Sequence, residues 1–525
     1  MRDNHETVVH FEPSRGTPKL PHIRIKPEAY GDLAEEVEKA IMLADLPVFR
    51  RGNRLVFPVV RQVEGAGGVL TAAAQLAEIG PEWMRQIMER AAAFERYNKR
   101  ERKWLPVQPP LDIANLMLVR VADWEFPEVA GVMTTPTLNP AGKLVAEEGY
   151  DPATRLYFAD LPIMPAMPAE PSRDDALRAL ADLEQLLSEF IFIDDASRSV
   201  ALSGLITPVC RGAIPLAPMH VADAPEPGTG KSFLWDIASV IATGRPCPVI
   251  AATRKTDEME KRLGAALLKG QQVISLDNIN GVLKSDQLCQ ILERPRVEVR
   301  ILGSSKSPDI ESRTTWFATG NNLRVVADLN RRTLTARLDA NLERPEFRTF
   351  QHDPIAAVMR ERGRYIAACL TIVRAYVCAG MPGRLPPLAS FRAWSDMIRS
   401  SLVWLGCADP CDTIQMMRDN DPELAQRRAV FDAWPAYDVP YSVADLVKLC
   451  DPEGDYGKLN EGEALRAALM DIAPGPKGSP DPSALGNWLR DNKDRTLNKK
   501  KLVREPGGTR TKAALWSMRQ LPGAS

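Results

Sequence analysis

Asp223-Ala224-Pro225-Glu226-Pro227-Gly228-Thr229-Gly230-Lys231-Ser232 lies between an apolar run, Leu216 to Ala222, and an amphipathic run, Phe233 to Ile241. The order reads as strand, glycine-bearing loop and helix, which is what a triphosphate requires. Backbone N–H groups of such a loop and of the helix N-terminus wrap the phosphates. Lys231 would reach the β/γ oxygens, and the Ser232 hydroxyl would ligate Mg²⁺. The match to G-x-x-x-x-G-K-[ST] departs at one place, where Pro225 stands in the position of the first glycine. The nucleotide-binding residues are therefore expected to be Pro227, Gly228, Thr229, Gly230, Lys231, Ser232 and Phe233. A surface turn can also carry the last four residues of the motif, so partners further along the chain have to decide.

Two apolar strands supply such partners. Val273-Ile274-Ser275-Leu276-Asp277-Asn278 ends in an acid, and a carboxylate at the carboxyl end of a strand beside a phosphate loop can hold Mg²⁺. Asp277 is thus the second expected metal residue beside Ser232. Asn278 occupies the place where a glutamate often orients water; an amide positions water but is a poor proton acceptor. Thr315-Trp316-Phe317-Ala318-Thr319-Gly320-Asn321-Asn322 ends in polar residues 44 positions after Asp277. The Asn321 amide is placed to bond the γ-phosphate or the attacking water, although Gly-Asn-Asn is also an ordinary turn sequence.

A fourth element, Asp328-Leu329-Asn330-Arg331-Arg332-Thr333-Leu334-Thr335-Ala336-Arg337-Leu338-Asp339, is read with helical spacing. Arg337 is the expected arginine finger offered to a neighbouring subunit's γ-phosphate. Arg331 and Arg332 would bind phosphate in cis, make intersubunit salt bridges or be surface charges. The expected catalytic set is Lys231, Asp277, Asn278, Asn321 and Arg337.

In order and spacing these four elements resemble the AAA+ ATPases. Phe-Ala-Thr-Gly-Asn-Asn and Arg-Arg-Thr-Leu-Thr-Ala-Arg-Leu-Asp look most like the helicases of phages and integrative mobile elements, related to superfamily 3 and to minichromosome-maintenance-like replicative helicases. The resemblance covers residues 173 to 410. It implies that Lys231 and Ser232, Asp277, Asn321 and Arg337 correspond to Walker A, Walker B, sensor 1 and the finger, with Arg399 as a second sensor. It also implies a hexameric ring of identical subunits that uses ATP and Mg²⁺ to draw single-stranded or forked DNA through its channel. Pro225 and Asn278 depart from the common pattern, and both bear on the hydrolysis rate.

The organisation expected from this reading is an α/β AAA+ P-loop ATPase core with an α+β N-terminal domain and a C-terminal winged helix. Residues 1–20 would be a loose terminus, 21–171 the N-terminal (collar) domain, 172–346 the ATPase core and 347–410 a helical lid. A linker, 411–440, would precede the winged helix, 441–525. Ser172-x-x-Asp175 opens the core with a capping box. In the N-terminal domain, Val48 to Phe57 reads as a hairpin turning at Gly52-Asn53, with three arginines that either meet nucleic acid or form a solvated face. Helices are expected over Leu70 to Leu76 and Pro81 to Glu95. Arg96, Lys99, Arg100, Arg102 and Lys103 with Tyr97 and Trp104 then form a basic patch that is either a DNA contact or a charged helix end.

Two stretches point to DNA. Val297 to Pro308 alternates as a strand and turns with Lys306 at the tip; in the resembled helicases a hairpin at this place grips the DNA backbone. In the last domain, Ala484 to Arg490 followed by Leu502 to Arg504 and Ala513 to Trp516 resembles a winged helix-turn-helix. Ten basic residues against three acidic ones between Arg490 and Arg519 make a local phosphate footprint on a chain of net charge −1. Arg490, Lys493, Lys499, Lys500 and Lys501 join Lys306 as the expected DNA-binding residues.

The 525 residues are 45% hydrophobic and 26% charged, the composition of a globular protein. The eight cysteines are scattered singly, without zinc-ligand spacing. With no signal peptide and no membrane span, a cytoplasmic location is expected. These features fit an ATP-dependent DNA helicase replicating a mobile element, with a host replication protein as an open further partner. Asn278 favours the alternative, a nucleotide-switched DNA-binding initiator or loader without processive unwinding.

Overall fold

The computed structural model describes residues 20–26, 30–64, 70–121, 123–251, 256–299, 308–340, 342, 344–347, 351–419, 422–451, 460–505 and 514–521. Apart from Leu20, the expected loose terminus lies outside them. The chain divides into two compact units, Met1–Ile414 and Gln415–Ser525. Among the described residues no helix is long and apolar enough to cross a membrane.

The first unit begins with β1 (His22–Ile25), α1 (Tyr30–Leu43), β2 (Phe49–Arg51), β3 (Arg54–Glu64), β4 (Leu70–Glu78), α2 (Pro81–Ala91), β5 (Ala93–Asn98), β6 (Lys103–Pro106) and α3 (Leu111–Val119). The helix expected over Leu70 to Leu76 is a strand. Its alanines favour a helix, but β4 pairs with β3 along its whole length, from Val56↔Glu78 to Glu64↔Leu70, and that ladder overrides propensity. The hairpin at Gly52-Asn53 forms, yet its arginines are not a nucleic-acid face. Arg51 is 1% exposed. Its guanidinium donates to the carbonyls of Val129, Ala130 and Leu267 at 3.0, 2.7 and 2.6 Å. Arg50 donates to the Phe126 carbonyl at 2.6 Å, and Arg54 pairs with Glu78. The short strands β7 (Gly131–Met133), β8 (Thr137–Leu138), β9 (Leu144–Val145), β10 (Gly149–Asp151) and β11 (Leu156–Phe158) complete this region.

The parallel-sheet region follows, with α4 (Arg173–Leu186), α5 (Asp195–Val209), β12 (Met219–Ala224), α6 (Lys231–Thr243), β13 (Val249–Ala251), α7 (Thr256–Leu268), β14 (Val273–Leu283), α8 (Asp286–Glu293), β15 (Arg296–Glu298), β16 (Asp309–Glu311), β17 (Thr315–Val325) and β18 (Thr333–Arg337). The Ser172–Asp175 capping box starts α4. Five strands form a wholly parallel sheet in the order β13-β14-β17-β12-β18. After β12 the chain runs to the far edge and returns inward, so β12 is flanked by β17 and β18. This is a topological switch of the kind at whose carboxyl ends ligands bind. Helix α6 is fixed to the sheet by Trp235. Its ring stacks on Phe317 with centroids 4.6 Å apart, and its N–H donates to the Ala318 carbonyl at 3.0 Å. Such a stack adds about 0.5–1.5 kcal/mol to the area it buries.

Arg331 to Arg337 is not a helix. Ala327–Arg332 is a 3-10 turn and Thr333–Arg337 is β18, whose threonines suit a buried edge beside β12. The segment before α5 covers β18. The Ile193 N–H donates to the Arg337 carbonyl at 3.1 Å, the Asp339 N–H donates to the Ile191 carbonyl at 3.0 Å, and Phe192 bridges Leu338. Helices α9 (Pro354–Arg360), α10 (Arg362–Cys378), α11 (Arg392–Trp394) and α12 (Ser400–Leu405) belong to the same hydrophobic core as α4–α6. The expected lid is therefore packed into the core; Trp394, for example, is fully buried and donates to the Thr207 hydroxyl at 3.0 Å.

The division between the units falls inside α13 (Asp412–Asp419). The second unit then contains α14 (Pro422–Asp432), β19 (Tyr441–Ser442), α15 (Val443–Leu449), α16 (Asn460–Ile472), α17 (Pro482–Asp491), β20 (Thr496–Leu497), β21 (Lys500–Glu505) and β22 (Leu515–Gln520). Its sheet order is β19-β22-β21-β20. The expected linker 411–440 is structural, since Val430, Phe431 and Trp434 share a core with Leu446, Leu469, Leu485 and Trp516.

Candidate nucleotide site

The carboxyl ends of three sheet strands set the site. Asp223 pairs with Gly320 and Ala224 with Asn321, and Ala251 pairs with Asp277 on the other side of β14. The ladder between β14 and β17 shifts register after Leu276, so Asp277 and Asn278 sit on a bulge. Bulges re-aim side chains, and this one turns both residues to a cleft of about 340 Å³. That cleft is lined by Pro227 to Phe233, Asp277, Asn278 and Thr319 to Asn321.

The loop explains why proline is tolerated at its start. Left-handed backbone is required at Gly228 (φ 78°) and Gly230 (φ 91°), whereas Pro225 has no positive φ. Lys231 opens α6, and its ammonium donates to the Glu226 carbonyl at 2.7 Å and the Thr229 hydroxyl at 3.1 Å. Burial lowers its pKa, opposed by the nearby carboxylates Asp223, Glu226 and Asp277. The Ser232 hydroxyl donates to Asp277 Oδ1 at 3.0 Å. Phe233 faces Phe190 with centroids 6.4 Å apart.

Thr319 joins the site in a way the sequence did not announce. Its hydroxyl donates to Asp277 Oδ1 and accepts the Asn278 N–H at 3.0 Å. Asn278 is left-handed, φ 54°, a conformation that asparagine tolerates far better than glutamate. The amide in the usual place of a carboxylate therefore has a backbone cause. The Asn321 Oδ1 is buried and has no partner. A buried amide oxygen at the edge of this cleft is free to accept a bond from a donor placed in it.

Asp223 is a further residue missed by sequence. It is 8% exposed and accepts the Leu323 N–H at 2.8 Å, which ties the turn after Asn321 to β12. Burial raises its pKa, while Arg337 and Lys231 pull it back. Arg337 stands opposite Asp223 in the β12–β18 ladder and does not line the cleft of its own chain. Arg332 is buried against Glu293 and Asp328. The Arg331 side chain is 45% exposed and pairs with Asp328 at 2.5 Å. Arg399 is held by Asp409 at 2.8 and 2.5 Å and by the Pro386 carbonyl, away from the cleft.

None of the protein-family models matches the chain, and no curated protein does. Among solved structures, the apo A form of the NrS-1 C-terminal region is similar over 92% of this chain and 98% of that one, with 11% identity and a TM-score of 0.38.

The expected DNA residues fare unevenly. Lys306 lies outside the described residues. The strands β15 and β16 that lead to it are antiparallel, and their base is anchored by Arg296 to Glu128 at 2.7 Å and Arg155 to Glu311 at 2.5 Å. In the second unit Lys500 is a structural cation, bound to Asp432 at 2.5 Å and over the Tyr437 ring. Arg490 donates to Asn487 on its own helix. Lys493 and Lys501 flank Asp494 at 3.7 and 3.6 Å, and Lys499 takes a left-handed turn position with φ 63°.

Proposed function

We propose that the chain is an AAA+-type ATPase that uses ATP and Mg²⁺ to move along single-stranded DNA as a ring of identical subunits, most simply a hexamer, in the replication of a mobile element. The observation that carries this reading is the convergence of Lys231, Ser232, Asp277, Thr319 and Asn321 on one cleft at the carboxyl ends of a parallel sheet.

The triphosphate would lie along the loop from Pro227 to Ser232, facing backbone N–H groups and the N-terminus of α6. Lys231 would exchange the Glu226 carbonyl and Thr229 hydroxyl for phosphate oxygens. Ser232 and Asp277 suit a hard divalent cation, because they offer a hydroxyl and a carboxylate oxygen 3.0 Å apart. Bound there, Mg²⁺ would neutralise charge on the β- and γ-oxygens. The unpartnered Asn321 oxygen would orient the attacking water, and Thr319 would hold Asp277 and the Asn278 backbone in place. Helix α17 followed by the β21–β22 ladder supports a winged helix in the second unit, whose basic residues would meet phosphate.

A second reading, a nucleotide-switched initiator or loader, is favoured by Asn278, since Asp277 is the one carboxylate among the residues lining the cleft. Steady-state ATP turnover of the wild type and Lys231→Ala, with and without single-stranded DNA, tests the proposal. Displacement of a strand from a forked duplex then separates the readings. DNA-stimulated turnover that Lys231→Ala abolishes supports the motor; slow turnover indifferent to DNA, with no strand displaced, supports the switch.

A further inference from the structure

Outside the nucleotide cleft, the cations Arg96, Lys99, Arg100, Arg102 and Lys103 fall on the hairpin of β5 and β6, and all five are exposed. They do not cap a helix. The turn between the strands is fixed by Asn98, whose side-chain oxygen accepts the N–H groups of Arg100 and Glu101 at 2.9 and 3.2 Å. Glu101 offsets part of this charge by pairing with Lys103 at 2.8 Å, so the tip remains net positive.

The three-stranded sheet β1-β5-β6 has two unlike faces. Ile23, Ile25 and Phe94, each 3% exposed, point into the core. The other face carries His22, Arg24, Tyr97 and Trp104, with Glu95 between His22 and Arg24 as the acid that pairs with both. Tyr97 lies directly opposite Trp104 in the ladder, with ring centroids 5.5 Å apart and planes at 63°. The Arg24 guanidinium lies 4.9 Å from the centroid of the Trp104 ring, and its Nε is 3.5 Å from Glu95. Tyr97 is 44% exposed, Arg24 is exposed and Trp104 is half-buried, so the row opens to solvent chiefly at Tyr97.

We propose that this face binds single-stranded DNA, with bases stacking on the row Tyr97–Trp104–Arg24 and the backbone running along Lys99, Arg100 and Arg102. Aromatic and guanidinium planes accept any base, and neighbouring cations follow the phosphates. A duplex keeps its base faces stacked inside and would leave the rings unused. An acidic protein segment would match the cations and leave the rings bare. The proposal needs neither ATP nor the cleft, so it can fail while the motor reading stands, and the reverse.

The test is fluorescence anisotropy of a short labelled oligothymidylate against the full chain, without nucleotide, across a salt series. Tyr97→Ala with Trp104→Ala is expected to weaken binding about ten- to a hundredfold, while Trp104→Phe, which keeps a stacking face, stays within about twofold of wild type. Lys99→Gln with Arg100→Gln should lower the slope of log affinity against log salt by about 1.4, from two phosphate contacts at about 0.7 each. These two cations stand on the turn and leave the ladder intact, so this variant remains decisive if the aromatic pair proves necessary for folding. Unchanged affinity in the aromatic variant, an unchanged slope in the charge variant, duplex bound as tightly as single strand, or displacement of the oligonucleotide by polyglutamate would each overturn the proposal.

Discussion

Replacing Thr319 by valine removes one hydroxyl, keeps the shape and strikes two bonds at once. The Asn278 N–H loses its acceptor, and Asp277 loses one of its two hydroxyl donors while keeping Ser232. Asn278 is exposed, so water can take the place of its lost acceptor and that loss is about 1 kcal/mol, while a bond to a charged group contributes about 1.5–3 kcal/mol. Because Asp277 keeps one donor, the combined loss of positioning should be about 2–3 kcal/mol, which corresponds to a fall in kcat of about 30- to 150-fold. Thr319→Ser restores the hydroxyl and should recover most of the activity. The assay is steady-state ATP turnover at varied Mg²⁺, paired with hydrogen exchange at the Asn278 amide, which should speed up in the valine variant only. The reasoning fails if Thr319→Val turns over ATP within about threefold of wild type with the Asn278 amide still protected.

His220 is fully buried among Trp235, Phe317 and Trp394, bonded to the Ser203 hydroxyl, and burial drives its pKa down to about 3. The unfolded chain takes up its proton below about pH 6.5 and the fold does not, so stability is lost as pH falls; from pH 7 to 5 wild type should lose about 2 kcal/mol more than His220→Leu in urea unfolding. Arg51→Met strands three carbonyl acceptors and should lower the stability of the first unit by about 3 kcal/mol or more, with Arg51→Lys a poor rescue because one ammonium cannot replace the fork. Arg337 does not line the cleft of its own chain, so a mixture of Lys231→Ala with Arg337→Ala should regain ATP turnover if Arg337 serves a neighbouring subunit and stay inactive if it serves Asp223 alone. A mixture of Lys231→Ala with Arg331→Ala should regain activity if the exposed Arg331 serves a neighbouring subunit.

The strand, glycine-bearing loop and helix around Gly228–Lys231 and the two strands carrying Asp277 and Asn321 were legible because each strand is a short apolar run closed by polar turn residues, and local pattern is enough to mark them. What escaped depends on pairing across the sheet. Nothing in Phe-Ala-Thr-Gly-Asn-Asn marks Thr319 as the donor to Asp277; the ladder that pairs Leu276 with Ala318 sets them side by side on neighbouring strands. Alanine-rich Leu70–Leu76 reads as a helix by propensity, and Arg331–Arg337 by the spacing of its arginines, while the ladders with β3 and β12 decide the outcome. Asp223 escaped for a related reason, since its partner Leu323 is one hundred residues away.

Segment Ile191–Ile193 has a consequence for how the molecule survives at high concentration. A parallel sheet ends in two raw margins, and a bare strand margin invites another chain to pair with it. Along β18 that invitation is withdrawn, because Ile193 and Asp339 already exchange backbone bonds across the bridge from Phe192 to Leu338. At the opposite margin β13 is only three residues long, too short a template for stable accretion. The protein thus guards one flank by covering it and the other by brevity, leaving the open carboxyl ends of its sheet for ligand alone.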